Sequence, residues 1–328
     1  MKALVYDNAL GEGKDGLKLV EDYKNPVMKA GDALIKTTMT GICNTDEEIT
    51  KGYMGYKGVL GHEFTGIVQD VFNGADKGWI GKRVVGEINA GCKNCKWCAS
   101  GLERHCPNRG TLGIWQKEGC FSEYFTLPVS NLLEIPGNVT DEEAVFVEPL
   151  AAAYEIIEQV HIKPTDRVAL LGDGKLGLSI ALVLGALNID LYHIGKHQNK
   201  LDISKNAGNK TMLLSEIKGL EGTFDVVIEA TGSVGGFETS LSLTKPRGVL
   251  VLKSTIAAKE GLNLASVVIN EITVVGSRCG QFAPVIRLLE KKAIDVKPLI
   301  SKILPFDSAV EGFELNRQKD TLKVLLRM

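Results

Sequence analysis

The run Arg167-Val-Ala-Leu-Leu171 leads directly into Gly172-Asp-Gly174-Lys-Leu-Gly177 and then into an apolar stretch lasting to about Asn188. That succession reads as a buried strand, a tight turn and a helix, and it constrains the fold more than any other feature of the chain. Further apolar runs follow at Leu191–Ile194, Phe224–Glu229, Val249–Leu252 and Thr273–Val275, with helical lengths of chain between them. Strands alternating with helices assemble as parallel βαβ units, so this half is expected to be a doubly wound α/β domain. The glycines fit G-x-G-x-x-G. Gly172 serves the tight turn, Gly174 lets the backbone approach a pyrophosphate, and Gly177 lets helix pack on strand, with Lys175 and Leu176 opening the helix. The pyrophosphate would sit on the helix N-terminus, where unpaired amides and the helix dipole favour negative charge. In a chain with 36 glycines an ordinary strand-to-helix turn is the plain alternative, and the βαβ setting is what favours a dinucleotide.

An NAD site normally carries Asp or Glu about 20 residues further on, at the end of the second strand, to hold the ribose 2′-hydroxyl. Here that strand runs into Gly195-Lys196-His197, and Asp190 precedes the strand, at its wrong end. Without an acid, a 2′-phosphate meets no repulsion, and Lys196 and His197 offer it cationic or donor groups. The expectation is NADP(H) in preference to NAD(H), with Gly195, Lys196 and His197 at the adenosine end. The alternative is that these are solvated loop residues and selectivity is weak.

Before about Pro149 the pattern changes to short strands such as Ala33–Met39, punctuated by glycine and aspartate turns, so this half is expected to be β-rich. Within it Cys92, Cys95, Cys98 and Cys106 form C-x2-C-x2-C-x7-C. Four thiolates this close in sequence can surround one ion tetrahedrally with no open position, the arrangement of a structural zinc. Such an ion would fold a lobe that has little apolar content of its own. A second set is dispersed: Cys43 in Gly-Ile-Cys-Asn-Thr-Asp, His62 and Glu63 in Gly-His-Glu-Phe-Thr-Gly, and Glu148 in Val-Glu-Pro-Leu. Spacing alone does not separate one metal site from a buried thiol, a core histidine and a solvated glutamate.

Taken in order, GICNTD, GHEFTG, the four-cysteine lobe, GCFSEY, VEPL, GDGKLG, EATGS and NEITVVGS resemble the zinc-dependent medium-chain alcohol dehydrogenase superfamily, and they run from Gly41 to Ser277. The resemblance implies a GroES-like β-rich catalytic domain, 1–149 with 279–328, around a Rossmann domain, 150–278. It implies two zinc ions per chain. Cys43, His62 and Glu148 would hold the catalytic one, with Glu63 as a nearby carboxylate able to ligate transiently. Glu148 in place of a second cysteine ligand looks like the sorbitol, glucose and threonine dehydrogenase branch. Asp46 matches an aspartate that orients the histidine ligand, and Thr45 a hydroxyl that passes the substrate proton toward solvent. Zinc would act as a Lewis acid on the alcohol, and the alkoxide would drive hydride to the nicotinamide. Many relatives have histidine five residues after the cysteine ligand. Glu48 stands there, either as a relay base of lower proton affinity or as a solvated helix residue. Trp115, with Tyr53, Met54 and Tyr56, is a candidate for the substrate pocket, and Arg278 for a cofactor contact.

The expected activity is hydride transfer between NADP(H) and an alcohol, polyol or sugar hydroxyl. A simple alcohol dehydrogenase using NAD(H) is the alternative enzyme, and an NADPH-sensing regulatory protein the alternative outside catalysis. With 38 Lys+Arg against 40 Asp+Glu, the net charge of −2 speaks against a nucleic-acid partner. The start of the chain lacks the apolar core of a signal peptide, and the apolar run Leu176–Leu187 is too short to span a bilayer, so a cytoplasmic protein without a membrane partner is expected. The family further implies a homodimer or homotetramer built through Rossmann edge strands.

Overall fold

Asp32–Gly41 (β1) alternates buried and part-exposed residues, and it is flanked on both sides in a seven-stranded sheet. The order runs Leu132–Glu134, Arg83–Gly86, Glu63–Val71 (β2), β1, Lys323–Arg327 and Ile300–Pro305, with Tyr124–Pro128 also pairing β1. The short helix Asn44–Thr50 (α1) leaves β1 three residues after its end. The structure, a computed structural model, describes residues 1–10, 16–255 and 264–328. Within these, Met1–Glu148 and Leu299–Met328 form one compact unit and Pro149–Pro298 another. No helix among the described residues is long and apolar enough to cross a membrane.

The second unit begins within Val147–Gln159 (α2), and its sheet is built of six strands, all parallel. Val168–Leu171 (β3), buried throughout, leads through the glycine turn to Lys175–Ala186 (α3), then to Leu191–Gly195 (β4) and Gln198–Asn206 (α4). The strand order is Lys210–Leu213, β4, β3, Phe224–Glu229, Thr244–Leu252, Thr273–Gly276. In sequence order this is 3-2-1-4-5-6, the doubly wound order of a dinucleotide-binding fold. Its core gathers Ala169, Leu171, Ile194, Phe224, Val227, Phe237 and Leu250.

One boundary differs from the sequence expectation. The chain does not return to the first unit at 279 but at Leu299. The helix Phe282–Glu290 buries Phe282, Val285, Ile286 and Leu289 along one face, and it belongs with the parallel sheet. Gly280 fixes the attachment: a Cβ there would lie 1.8 Å from the Ala151 carbonyl oxygen.

Candidate functional site

Cys43 is the N-cap of α1, with extended backbone, so its thiol stands at the helix entrance. Asp46, three residues on and buried, accepts the Cys43 backbone N–H at 2.9 Å through Oδ2 and closes that turn. Its other oxygen, Oδ1, stands 3.2 Å from His62 Nδ1. The alignment of that pair falls short of a hydrogen bond, so both atoms are buried and unsatisfied as the ring stands. Burial would drive the His62 imidazole to its neutral form, but the Asp46 carboxylate and the Cys43 sulfur beside it raise it well above the usual histidine range. A cation coordinated by the ring would replace that proton.

Cys43, His62 and Glu63 come together: one donor atom of each lies within 4.8 Å of the others. A thiolate, an imidazole and a carboxylate form a donor set suited to zinc. Thr45 Oγ1 lies 3.7 Å from Cys43 Sγ, beside the group. Glu148 opens α2 and lies outside that cluster of donors, although its charge helps keep Lys323 protonated. Glu48 points away to Lys51, at 2.8 Å, with 56% of its side chain exposed. Its neighbour Glu47 is the buried one, tied to Arg317 Nε at 2.6 Å and Asn316 Nδ2 at 3.2 Å.

Sequence reasoning missed Lys323. Its Nζ donates to both Glu63 oxygens, at 2.7 and 2.6 Å, with only 6% of its side chain exposed. The two residues sit on the strands either side of β1, Glu63 opposite Gly41 and Lys323 on the C-terminal strand whose Leu325 also faces Gly41. They meet over Gly41, where a Cβ would come 2.5 Å from Glu63 Oε2 and 2.9 Å from Val145 Cγ1. Burial pushes the Lys323 amine down, and the charge of Glu63, aided by Cys43, more than reverses this, so the ammonium form holds. The signal in the sequence was a single charge inside the apolar run Leu322–Leu326.

The four cysteines of the lobe also converge within 4.8 Å, and none is in a disulfide. Four sulfurs about 2.3 Å from one zinc lie about 3.8 Å from each other. Cys95 Sγ stands 3.6 Å from Cys98 Sγ and 3.7 Å from Cys106 Sγ, so the lobe is already spaced for that ion. The Cys92 amide points at Cys106 Sγ at 3.4 Å. The amide of Asn94 leads in bringing the Cys92 thiol down to about 7, while burial pushes Cys98 up to about 11.

In the second unit the glycine turn is tight at one end and open at the other. Gly177 packs so closely that a Cβ would sit 1.8 Å from the Gly172 carbonyl, whereas a Cβ on Gly174, the N-cap of α3, would meet open space. Lys175 and Leu176 form the first turn of α3. Gly195 ends β4, Lys196 is exposed, and His197 caps α4. Arg278 is exposed, and its carbonyl accepts from the buried Lys253 Nζ at 2.9 Å, which also reaches Ser277 Oγ and the Ala152 carbonyl. Trp115 is half-buried in the turn between Gly110–Leu112 and Gln116–Lys117. The residues just after Gln116–Lys117 are stitched to those before His62 by Gly119 N to Val59 O, Phe121 N to Leu60 O and Cys120 N to Gly61 O. Tyr56 is buried and Tyr53 and Met54 are exposed.

Residues 29–137 match the alcohol dehydrogenase GroES-like domain, and residues 174–291 match the zinc-binding dehydrogenase family. The starvation-sensing protein RspB of Escherichia coli is 28% identical over 92% of this chain and 93% of its own. The sorbitol dehydrogenase of Halalkalibacterium halodurans is 27% identical over 94% of each chain. Among solved structures, the alcohol dehydrogenase rspB of E. coli CFT073, complexed with NADH, superposes with a TM-score of 0.89 at 25% identity over 100% of this chain and 99% of that one. A zinc-binding dehydrogenase of Sinorhizobium meliloti 1021 bound to NADP superposes at 0.86, also at 25% identity, over 100% and 99%.

Proposed function

Because the chain belongs to the zinc-dependent medium-chain dehydrogenase superfamily, we propose that it transfers hydride between a nicotinamide dinucleotide and an alcohol, polyol or sugar hydroxyl, or the matching carbonyl in reverse. The observation that carries this reading is the convergence of the Cys43 thiol and the His62 imidazole at the entrance of α1, with the Glu63 carboxylate beside them. Zinc bound there would supply Lewis acidity to the substrate oxygen. Cys43 and His62 hold the ion, Glu148 is its third protein ligand, and Glu63 stays on Lys323. Charge supports this division: the Cys43 and Glu148 anions balance a divalent ion, and the Lys323 ammonium balances Glu63. Asp46, already 3.2 Å from Nδ1, orients the imidazole, and Thr45 carries the substrate proton away. The backbone at Gly174 and the α3 N-terminus take the pyrophosphate. The four-cysteine lobe holds the second, structural zinc.

The sorbitol dehydrogenase among the relatives favours polyols and sugars over simple alcohols as substrates. Trp115 is proposed to line the substrate pocket, on the strength of the hydrogen bonds that tie Gly119–Phe121, a few residues after it, to the residues before His62. Arg278, exposed after the last parallel strand, is proposed as a cofactor contact. A homodimer or homotetramer is supported by the edge strand Thr273–Gly276, whose Val274 is exposed, and by the exposed Val268 and Ile269 just before it.

Cys43→Ala tests the reading against a non-catalytic dinucleotide sensor. Metal analysis is expected to fall from two zinc ions per chain to one, with turnover lost and the lobe still folded. Turnover retained with one zinc per chain would refute it.

A further inference from the structure

The carboxylate missing from the end of β4 is supplied from elsewhere in the chain. Asp173, between Gly172 and Gly174, turns its side chain toward Gly195, and a Cβ built on Gly195 would lie 2.6 Å from both Asp173 Cβ and Oδ2 and 2.8 Å from Cγ. The acid of the turn therefore fills the space where a side chain at position 195 would begin. The glycine at 195 and the aspartate at 173 belong to one arrangement, since a side chain at 195 would collide with that of Asp173. Sequence reading separates them by 22 residues and sees only the empty strand end.

From this we propose that Asp173 is the residue that selects the adenosine ribose, accepting the 2′-hydroxyl of NAD(H) and turning away the 2′-phosphate of NADP(H). The proposal rests on the dinucleotide reading above and reverses the preference that sequence alone suggests. Three donors converge on one oxygen: Oδ2 accepts Lys196 N and His197 N, each at 2.7 Å, and His197 Nδ1 at 3.0 Å. Among the described residues no hydrogen bond falls on Oδ1, which remains to accept from a ribose hydroxyl. The same contacts remove what a phosphate would need. The amides of Lys196 and His197 are already taken by an anion. A phosphate would have to displace that carboxylate or sit beside it. Only 12% of the side chain is exposed, so water does little to screen the repulsion. Lys196 contributes an exposed ammonium, which solvent screens far more.

The test is an equilibrium titration of the zinc-loaded protein, followed by intrinsic fluorescence, with NADH, NADPH, AMP and adenosine 2′,5′-bisphosphate. The protein is expected to bind NADH at least about tenfold more tightly than NADPH, the lower end of what one charged hydrogen bond is worth. AMP and the bisphosphate should follow the same order. Asp173→Asn keeps the volume and removes the charge, so it should bring the two dinucleotides within a few-fold of each other, chiefly by tightening NADPH. Asp173→Gly combined with Gly195→Asp returns the carboxylate to the strand end and should restore the NADH preference, which separates a charge effect from a loosened turn. NADPH bound as tightly as NADH by the unaltered protein, or a ratio unmoved in Asp173→Asn, would overturn the proposal alone. Binding of neither dinucleotide would overturn the dinucleotide reading and this proposal with it.

Discussion

Lys323→Met removes the cation from a pair in which both partners are buried and both Glu63 oxygens are engaged, at 2.7 and 2.6 Å. The methionine fills a similar volume, so packing changes little and the main effect is an uncompensated carboxylate in the core. Breaking such a pair from one side costs about 3–5 kcal/mol. For a domain of this size each kcal/mol shifts the midpoint by about 2–4 °C, so the transition of the first unit should fall by roughly 6–20 °C in a calorimetric scan. The double variant Glu63→Gln with Lys323→Met leaves no buried charge and should recover most of the loss. Lys323 is held above the ordinary lysine value, so its contribution is complete below that value and disappears only as the pH climbs through the raised one. Between neutrality and about pH 10 the difference between single variant and parent should stay constant. A loss under about 1 kcal/mol in the single variant, or a double variant no better than the sum of two singles, would refute the reasoning that this pair is charged and dry.

Asp46→Asn keeps the hydrogen bond to the Cys43 amide but weakens the hold on the His62 ring. Zinc affinity measured by competition with a chromogenic chelator should drop about 10–100-fold, with the lobe ion unaffected. Cys106→Ser removes one of four lobe ligands, and the variant should carry one zinc per chain and expose residues 92–106 to limited proteolysis. Asp173 and Asp225 are both held below the ordinary carboxylate value: burial pushes each up, but the His197 and Lys196 amides outweigh it at Asp173 and the Lys245 ammonium at Asp225. Their contribution to the second unit is therefore complete above about pH 4 and drains away as the pH falls further, a slope that denaturant titrations at acid pH should detect and that Asp173→Asn should reduce. Glu48→Gln should leave the pH–rate profile unmoved, because Glu48 faces Lys51 and solvent. A shifted limb would return it to the proton relay.

Local pattern carried the parallel sheet. Phe224–Glu229 is the same span in sequence and structure, and the run Leu191–Ile194 is extended by one residue. Val249–Leu252 proved to be only the end of Thr244–Leu252, because Pro246 and Gly248 hide the first half of that strand from a reading based on apolar runs. The four-cysteine lobe was legible because its ligands lie within fifteen residues and need no knowledge of the fold. Glu63 and Lys323 are 260 residues apart and meet only because β1 separates their strands by one place each. Asp173 was hidden for a different reason. Its position in the glycine turn is usually judged by the glycines around it, and only the three-dimensional closeness of β3 and β4 reveals that its carboxylate lies at the next strand's end. The misplaced boundary at 279 has the same origin: an amphipathic helix announces that it packs, not against which sheet.

The central claim is chemical, that two metal-binding clusters and a dinucleotide turn serve hydride transfer to and from a hydroxyl-bearing carbon. The most direct measurement is the nicotinamide absorbance change with protein carrying two zinc ions per chain, supplied with NAD+ and NADP+ in parallel over alcohols, polyols, sugars and amino alcohols. The account predicts turnover of at least one hydroxyl substrate, abolished by Cys43→Ala. No turnover with either dinucleotide across all four classes, in protein with its full metal content, would contradict it.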